Sequence, residues 1–315
     1  MKRKKCKISV IGAGFVGATI AYAVAMQKLA SQILIVDINE KKANAEALDI
    51  AHSAAFIEDV DVEYGDYLST KDSDIVILTA GPQPKNGESR LDVLKKGLQI
   101  NSSVVPQVAK HSPNAIIIEV ANPLDILTYQ TYKLSGFPKE RIIGSGTVVD
   151  SARLRYAIGK KYGINYKKII VYVFGEHGDS QVAAWNSTTV SGIGLDDYLK
   201  QLGKEINHEI KNEISEQVKK VGFDILNGKG YTSYGIGTAV SRIVRAIVED
   251  NDAVLPVSTL YTGEYGINDV YMAAPCIIGA SGVKKVLEIG LSEKEFKDLH
   301  ASEKLLKSLV KDSGL

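Results

Sequence analysis

The stretch that decides the fold is ISVIGAGFVGATIAYAVA, residues 8–25. A short β-branched run leads into Gly12, Gly14 and Gly17, and an alanine-rich run follows, so a G-x-G-x-x-G pattern joins a strand to a helix. The first glycine permits a tight turn, the second lets backbone approach a pyrophosphate, and the third lets the helix pack on the strand. The helix N-terminus adds positive potential. The stretch predicts a dinucleotide-binding turn.

A second buried strand, LIVDIN, strengthens that prediction because it ends with Asp37, 20 residues after Gly17. An acid at this separation meets the ribose hydroxyls of a dinucleotide. It also repels a 2′-phosphate, and the adjacent Ile38 and Asn39 provide no arginine to receive one. NAD is therefore favoured over NADP. Enzymes that use S-adenosylmethionine share a glycine loop and a later acid, so the reaction stays open.

Composition narrows the class of protein. The 315 residues predict about two domains, and a net charge of +1 gives no general attraction for nucleic acid. Cys6 and Cys276 lack the spacing of a zinc site or a disulfide framework, so we expect small apolar fillers and no structural metal. No apolar run is long enough to cross a bilayer, and we expect a cytoplasmic protein.

In the first half, predicted strands alternate with predicted helices. The strands are apolar throughout, without the in-and-out alternation of a half-exposed sheet, which indicates a parallel sheet covered by helices on both faces. We therefore predict an α/β fold with a Rossmann-type doubly wound sheet over residues 1–145. A second, mixed α+β substrate domain is expected over residues 146–315. That half should contain a helix at 150–162, a strand KKIIVYVFG, helical segments at 197–226 and 231–248, and a C-terminal helix. In the first half, Pro106 predicts a kink or a new helix start.

A candidate for chemistry is His177, in the loop VFGEHGDS that follows a buried strand. A 2-keto acid needs a cation for its carboxylate, a cation to polarise its ketone, and a proton donor. In TVVDSARLRYAIG, Asp150 and Arg153 are three residues apart and share one helix face. Arg153 suits a carboxylate, and Asp150 suits the orientation of an imidazole. Alternatively, Asp150 is an N-cap and Arg153 a surface ion-pair partner.

Two further polar residues follow predicted strands of the sheet. Arg90 belongs to the loop AGPQPKNGESRLDVL, which should face the cofactor crevice, where closure could bring it to the ketone. The alternative is a solvated loop arginine. Asn122, in VANPLDILTY, either caps a helix or orients the substrate.

The motifs GAGFVG, VANP, DSARLR, GEHGDS and GKGYTSYGIG occur in this order, and over essentially its whole length the chain resembles the L-lactate dehydrogenase family. The resemblance implies that His177 donates and accepts the proton, that Asp150 orients it, and that Arg153 clamps the carboxylate. Arg90 would be the mobile-loop polariser. The implied substrate-binding residues are Arg153, Asn122, Arg90, Thr232, Gln83, Pro84 and Ile236. The expected cofactor-binding residues are Gly12, Gly14, Phe15, Val16, Gly17, Asp37, Ala80, Gly81 and Asn122.

The resemblance has two departures. The family loop resembles G-A-x-Q-K-P-G-E, with its glutamine facing the substrate side chain, whereas GPQPKNGE places Pro84 there and Gln83 one residue early. Members that act on malate carry arginine at that position, so Pro84 argues against malate. Fructose bisphosphate activation uses an arginine, matched by Arg155, and a histidine, replaced here by Ile170. We expect weak or absent activation.

The sequence thus predicts an NAD-dependent L-2-hydroxy-acid dehydrogenase of glycolysis and fermentation that interconverts pyruvate and L-lactate. An enzyme for bulkier branched 2-keto acids, similar to L-2-hydroxyisocaproate dehydrogenase, is the alternative that VGFDILNGKGYTSYG favours. A catalytically idle NAD-binding structural protein or a methyltransferase would not need the aspartate, arginine and histidine. Relatives in the family lead us to expect a homotetramer or homodimer.

Overall fold

A computed structural model of the chain describes residues 6–57, 60–82 and 90–315, except for the side chain of Arg90. Strands and helices alternate through the first half. Its strands are β1 (Lys7–Ile11), β2 (Gln32–Val36), β3 (Asp61–Tyr64), β4 (Ile75–Leu78), β5 (Ile116–Glu119) and β6 (Ile142–Gly144). Its helices are α1 (Phe15–Met26), α2 (Glu40–His52), α3 (Arg90–His111) and α4 (Leu124–Ser135).

These six strands form a parallel sheet in the order β3-β2-β1-β4-β5-β6. The order reverses between β1 and β4, and the carboxyl ends of strands at such a switch point border a ligand crevice. Both faces of β1 are covered, because Ile8 and Val10 pack in one apolar cluster and Ile11 in another. The prediction of a Rossmann-type parallel sheet is confirmed.

The second half is mixed in character. Its strands are β7 (Ile169–Ile170), β8 (Val173–Phe174), β9 (Val182–Ala183), β10 (Thr189–Val190), β11 (Ile193–Gly194), β12 (Ala253–Thr262), β13 (Asn268–Gly279) and β14 (Gly282–Val286). Its helices are α5 (Val148–Tyr162), α6 (Leu195–Gln201), α7 (His208–Lys229), α8 (Tyr234–Glu249) and α9 (Glu293–Asp312).

The main sheet continues from the first half into the second. Within the described residues it has nine strands, because β12, β13 and β14 extend it in antiparallel pairing beyond β6. The junction is a single register pair, Ser258 with Gly144. A side chain at position 144 would bring a Cβ within 2.7 Å of the Ser258 Cβ, so the glycine permits this approach. One apolar cluster contains residues of both halves.

Several details differ from the prediction. The expected strand KKIIVYVFG is two short strands, β7 and β8. The expected helical segment 197–226 is divided between α6 and α7 by residues 202–207. Helix α3 runs through Pro106, so no new helix starts there. Five strands in the described part of the chain were not predicted: β3, β9, β10, β11 and β14. Each of them is only two residues long or carries at least two exposed side chains, so it has little apolar periodicity.

Helix α8 packs on α1 and so brings the second half against the glycine turn. A Cβ at Gly237 would lie 2.6 Å from the Thr19 side chain, and Gln27 donates to the Ser241 hydroxyl over 2.7 Å. Close helix contact therefore places the start of α8 beside the start of α1. Among the described residues, none of the helices has the length and apolarity to span a bilayer.

Candidate active site

The glycine turn has the geometry that a dinucleotide requires. Gly12 has φ +110°, and a Cβ there would lie 2.6 Å from the Thr79 hydroxyl. A Cβ on Gly17 would lie 1.9 Å from the Gly12 carbonyl oxygen. By contrast, apart from Gly14 itself and its two chain neighbours, no heavy atom of the described residues lies within 4 Å of a Cβ built on Gly14, the N-cap of α1. The turn thus leaves open space where a pyrophosphate would approach the helix N-terminus.

Asp37 lies at the end of β2 and is bound to the same turn. One carboxylate oxygen accepts the Ala13 N–H at 2.7 Å, and the other accepts the Asn39 N–H at 2.8 Å. Each oxygen retains a lone pair for a ribose hydroxyl. Asp37 therefore stabilises the turn and presents a negative group beside it, an arrangement that fits NAD.

Phe15, the first residue of α1, links the turn to the segment before α8. Its ring stacks on Tyr231 with the centroids 3.9 Å apart and the planes 6° apart. The neighbouring Thr232 and, in the first turn of α8, Ile236 are half-buried. The structure thus brings these two predicted substrate residues to the cofactor turn, while Val16 packs against the core.

The loop that carries His177, called the His177 loop below, begins where β8 ends, and it is held by groups from distant parts of the chain. Gly175 has φ +78°, and a Cβ there would lie 2.8 Å from the Ser302 hydroxyl of α9. That hydroxyl accepts the Glu176 N–H at 2.8 Å. Asp125 of α4 accepts the His177 N–H at 2.7 Å. The loop backbone is therefore fixed at His177 and at the residue before it.

Asp150 joins the predicted acid–base residue to the predicted clamp. One of its oxygens lies 2.8 Å from Nδ1 of His177, and the other accepts from Arg153 at 3.0 Å. The Asp150 side chain is 3% exposed, whereas those of His177 and Arg153 are 28% and 23% exposed. Thr147, not Asp150, is the N-cap of α5. The carboxylate thus holds a guanidinium and an imidazole that both remain partly exposed.

The electrostatics of this group favour a protonated imidazole. Burial opposes the charged form of His177, but the charge and hydrogen bond of Asp150 outweigh it and raise the pKa of the imidazole. Burial likewise works against the charged form of Asp150, yet His177 and Arg153 lower the pKa of that carboxyl. The bond at Nδ1 leaves Nε2 available to exchange a proton with a ligand.

Asp125 contacts the His177 loop, but nothing in the sequence distinguishes it, because VANPLDILTY has the pattern of an ordinary helix start. Its carboxyl is 3% exposed and accepts from the Ser258 hydroxyl at 2.6 Å as well as from His177. Burial raises the pKa of Asp125 to about 6. The contact between residues 52 positions apart emerges only in the folded chain.

The surroundings of Arg153 come from α7 and α8. A Cβ on Gly222 of α7 would lie 3.5 Å from both terminal nitrogens of the guanidinium, so glycine leaves room for it. At the start of α8, a Cβ on Gly235 would lie 3.8 Å from the Val149 side chain. The segment containing Thr232 and Ile236 is thereby placed next to the N-terminal turn of α5, which carries Asp150.

Other predicted residues lie at the carboxyl ends of β4 and β5. Ala80 is half-buried and Gly81 exposed, and Gly81 lies close to Ala121. Asn122 is exposed, and Pro123 rather than Asn122 is the N-cap of α4. Gln83 and Pro84 lie outside the described residues. Helix α3 begins at Arg90, whose side chain is also outside them.

Arg155 and Ile170, the positions compared with the activator site, lie on α5 and β7. Burial lowers the pKa of Arg155, and the nearby charge of Arg242 lowers it further. Ile170 is 50% exposed. In the part of the chain that the structure describes, no three His, Cys, Asp or Glu side chains are grouped to hold a metal ion. Cys6 and Cys276 are buried.

Comparisons with known proteins agree with this geometry. Residues 6–144 match the family described as lactate/malate dehydrogenase, NAD binding domain, and residues 147–313 match its alpha/beta C-terminal domain. An L-lactate dehydrogenase of Clostridium perfringens (strain SM101 / Type A) is 50% identical over 315 residues, which is 100% of this chain and 99% of the relative. One from Clostridium botulinum (strain Hall / ATCC 3502 / NCTC 13319 / Type A) is 47% identical over 99% of this chain and 98% of its own.

A solved structure extends the likeness to three dimensions. The minor L-lactate dehydrogenase from Enterococcus mundtii, crystallised in a ligands-bound form, superposes with a TM-score of 0.94 at 36% identity, covering 98% of each chain. Family matches cover both halves, and the relatives align over nearly their full length. The expected resemblance and the NAD-binding domain are confirmed, and the chain belongs to the lactate/malate dehydrogenase family.

Proposed function

We propose that this protein is an NAD-dependent L-lactate dehydrogenase that interconverts pyruvate and L-lactate. The observation that carries the proposal is the group Arg153–Asp150–His177, which holds a guanidinium and an imidazole on the two oxygens of one buried carboxylate. The names of the Clostridium relatives support the same substrate.

His177 is the proposed proton donor for ketone reduction. Asp150 holds Nδ1, so Nε2 is directed to the ligand, and the negative charge of Asp150 favours the imidazolium that precedes transfer. After the proton leaves Nε2, the imidazole is neutral and its Nδ1–H still donates to Asp150. In the oxidation direction the same nitrogen accepts the hydroxyl proton.

Arg153 is the proposed clamp for the substrate carboxylate. One of its N–H groups is bound to Asp150, and the guanidinium keeps further donors for two parallel bonds to a carboxylate. By the resemblance of the loop, Arg90 would polarise the ketone, and Asn122, Thr232 and Ile236 would border the substrate. Gln83 or Pro84 would contact its side chain.

The glycine turn and Asp37 would hold NAD, with Phe15, Val16, Ala80, Gly81 and Asn122 along its length. The open space at Gly14 would receive the pyrophosphate, and Asp37 the adenosine ribose. When bound, the nicotinamide supplies and accepts the hydride of the reaction. The protein then provides orientation, charge and the proton.

The test is NADH oxidation measured side by side over a range of concentrations of pyruvate, oxaloacetate and 2-ketoisocaproate. We expect the highest kcat/KM with pyruvate. Preference for ketoisocaproate would transfer the assignment to the branched-acid alternative, and no oxidation with any of the three would remove the dehydrogenase assignment.

We further propose a homotetramer or homodimer in the cytoplasm, with weak or absent activation by fructose bisphosphate. The half-exposed Ile170 supports the last point, because an alkyl side chain has neither charge nor donor for a phosphate. Pyruvate saturation curves with and without the sugar bisphosphate should superpose. A large shift to lower pyruvate concentration on its addition would contradict this.

A further inference from the structure

A buried carboxylate that the proposed chemistry does not use lies at the carboxyl end of β5. Glu119 is the last residue of that strand, is 0% exposed, and precedes Asn122 by three positions. A buried carboxylate is costly unless several donors surround it. Its position at the cofactor end of the sheet, together with this cost, suggests a role beyond packing.

Four donors meet the Glu119 carboxylate. One oxygen accepts the backbone N–H groups of Val120 and Ala121 at 3.2 and 3.0 Å. The other accepts from the Asn101 amide at 3.3 Å and from the Thr131 hydroxyl at 3.0 Å. The carboxylate therefore folds back on the residues leading to Asn122 and connects them to α3 and α4.

The elements around Glu119 present neutral groups. In the register of the sheet it is paired with Leu78 of β4 and Gly144 of β6, while α3 and α4 face it with Asn101 and Thr131. None of these described contacts carries a charge. Burial raises the pKa of Glu119 to about 7, although its hydrogen bonds, led by that of Ala121, act in the opposite direction.

We propose that Glu119 is a positioning residue whose negative charge fixes the turn carrying Asn122 and ties that turn to α3. Protonation of Glu119 weakens its hydrogen bonds to α3 and α4, because the Asn101 amide nitrogen is a donor and cannot accept from a carboxylic acid. The Thr131 hydroxyl would have to turn from donor to acceptor. Asn101 belongs to α3, so one proton would weaken the connection between the turn carrying Asn122 and that helix.

This inference rests on the proposed function, because its readout is pyruvate reduction. Its consequence is a dependence of turnover on pH that is separate from His177. When Glu119 loses its proton, its hydrogen bonds to Asn101 and Thr131 become stronger. The contribution of Glu119 to kcat therefore rises as the pH increases through neutrality. Glu119→Gln retains an acceptor for Val120 and Ala121 but stays neutral at every pH.

The experiment measures kcat for NADH oxidation with saturating pyruvate in wild type and Glu119→Gln, from about pH 5.5 to pH 8.5. The quantity compared is the kcat of Glu119→Gln divided by the kcat of wild type at each pH. The titration of His177 affects both enzymes equally and cancels in this ratio. We expect a ratio near one at the acid end and about threefold to tenfold lower at the alkaline end. A ratio that is lowered equally at all pH values would mean a merely structural role and would overturn the inference.

A matched control is Glu295→Gln. Glu295 is also a buried glutamate, 8% exposed, that accepts backbone N–H groups from Asn186 and Ser292 and is not among the residues proposed to contact cofactor or substrate. The kcat of Glu295→Gln divided by that of wild type should stay constant across the pH range. A slope equal to that of Glu119→Gln would also overturn the inference.

If Glu119→Gln fails to fold, Thr131→Val provides a second test of the role of Glu119. It keeps the carboxylate but removes a donor that lowers its pKa, so the step in kcat should move to higher pH. A step that stays in place would contradict the inference. Wild type without pyruvate reduction at any pH would instead remove the proposed function and, with it, this inference.

Discussion

At the scale of single residues, one buried carboxylate organises the site. Asp150 accepts from Arg153 and His177 on its two oxygens while being almost inaccessible to water. A lone carboxylate in such surroundings would be destabilised, and two cationic neighbours offset that cost. The arrangement gives the imidazole a single orientation and a preference for its charged form.

Asp150→Asn should lower the pKa of His177, because the amide keeps an acceptor oxygen but loses the negative charge that raises it. Pyruvate reduction requires the protonated imidazole, so kcat/KM should begin to fall at a lower pH than in wild type. We expect the midpoint of the pH profile to move down by about one unit or more. Asp179→Asn, an exposed carboxylate of the same loop, is the control, and an unmoved midpoint in Asp150→Asn would contradict the account.

At the scale of elements, the turn between β1 and α1 contains two glycines with different roles. Gly17 is required by the packing of the turn, whereas Gly14 borders open space that a ligand could occupy. An added Cβ would collide with the Gly12 carbonyl at position 17 but meets no described atom at position 14. Gly14 also has φ −75°, which any residue adopts. Two neighbouring glycines therefore make different predictions.

Gly17→Ala should destabilise the fold by about 1–3 kcal/mol through overpacking. Gly14→Ala should unfold at the wild-type temperature in the absence of cofactor, yet bind NADH about tenfold or more weakly, because the methyl group occupies the space for the pyrophosphate. Thermal denaturation and titration of NADH fluorescence measure the two effects. Unchanged NADH affinity in Gly14→Ala would place the pyrophosphate elsewhere.

Elements with strong local signals could be predicted from the sequence, and contacts between distant elements could not. The runs around Ile8, Ile33 and Ile118 identify buried parallel strands by their lack of polar alternation. The residues that hold the His177 loop, Asp125 and Ser302, belong to helices remote in the sequence and have no local signature. The same is true of the neighbours of Glu119, because strand order and helix packing decide which side chains meet.

At the scale of the whole molecule, the two expected domains share one sheet and one apolar cluster. β12 adds to β6 across the expected boundary, and α8 packs on α1. Separation of the halves would expose the edge of β6 and the apolar side chains beneath α8. The residues proposed to bind the cofactor and those proposed for acid–base chemistry are therefore held by one continuous sheet and one shared apolar cluster.

We expect the chain to unfold in a single cooperative transition, and NADH to raise the temperature of that whole transition. Differential scanning calorimetry with and without NADH provides the measurement. Two resolved transitions, of which only one responds to NADH, would show that the halves unfold independently and would contradict the shared core.

The most direct test of the central claim, that His177 is the proton donor, is the turnover of His177→Asn compared with its NADH affinity. The account predicts an NADH dissociation constant within about twofold of wild type and a kcat for pyruvate reduction lower by about 10²- to 10⁴-fold. His208→Asn, an exposed histidine of α7, should match wild type in both. Near-normal turnover of His177→Asn with intact NADH binding would contradict the claim.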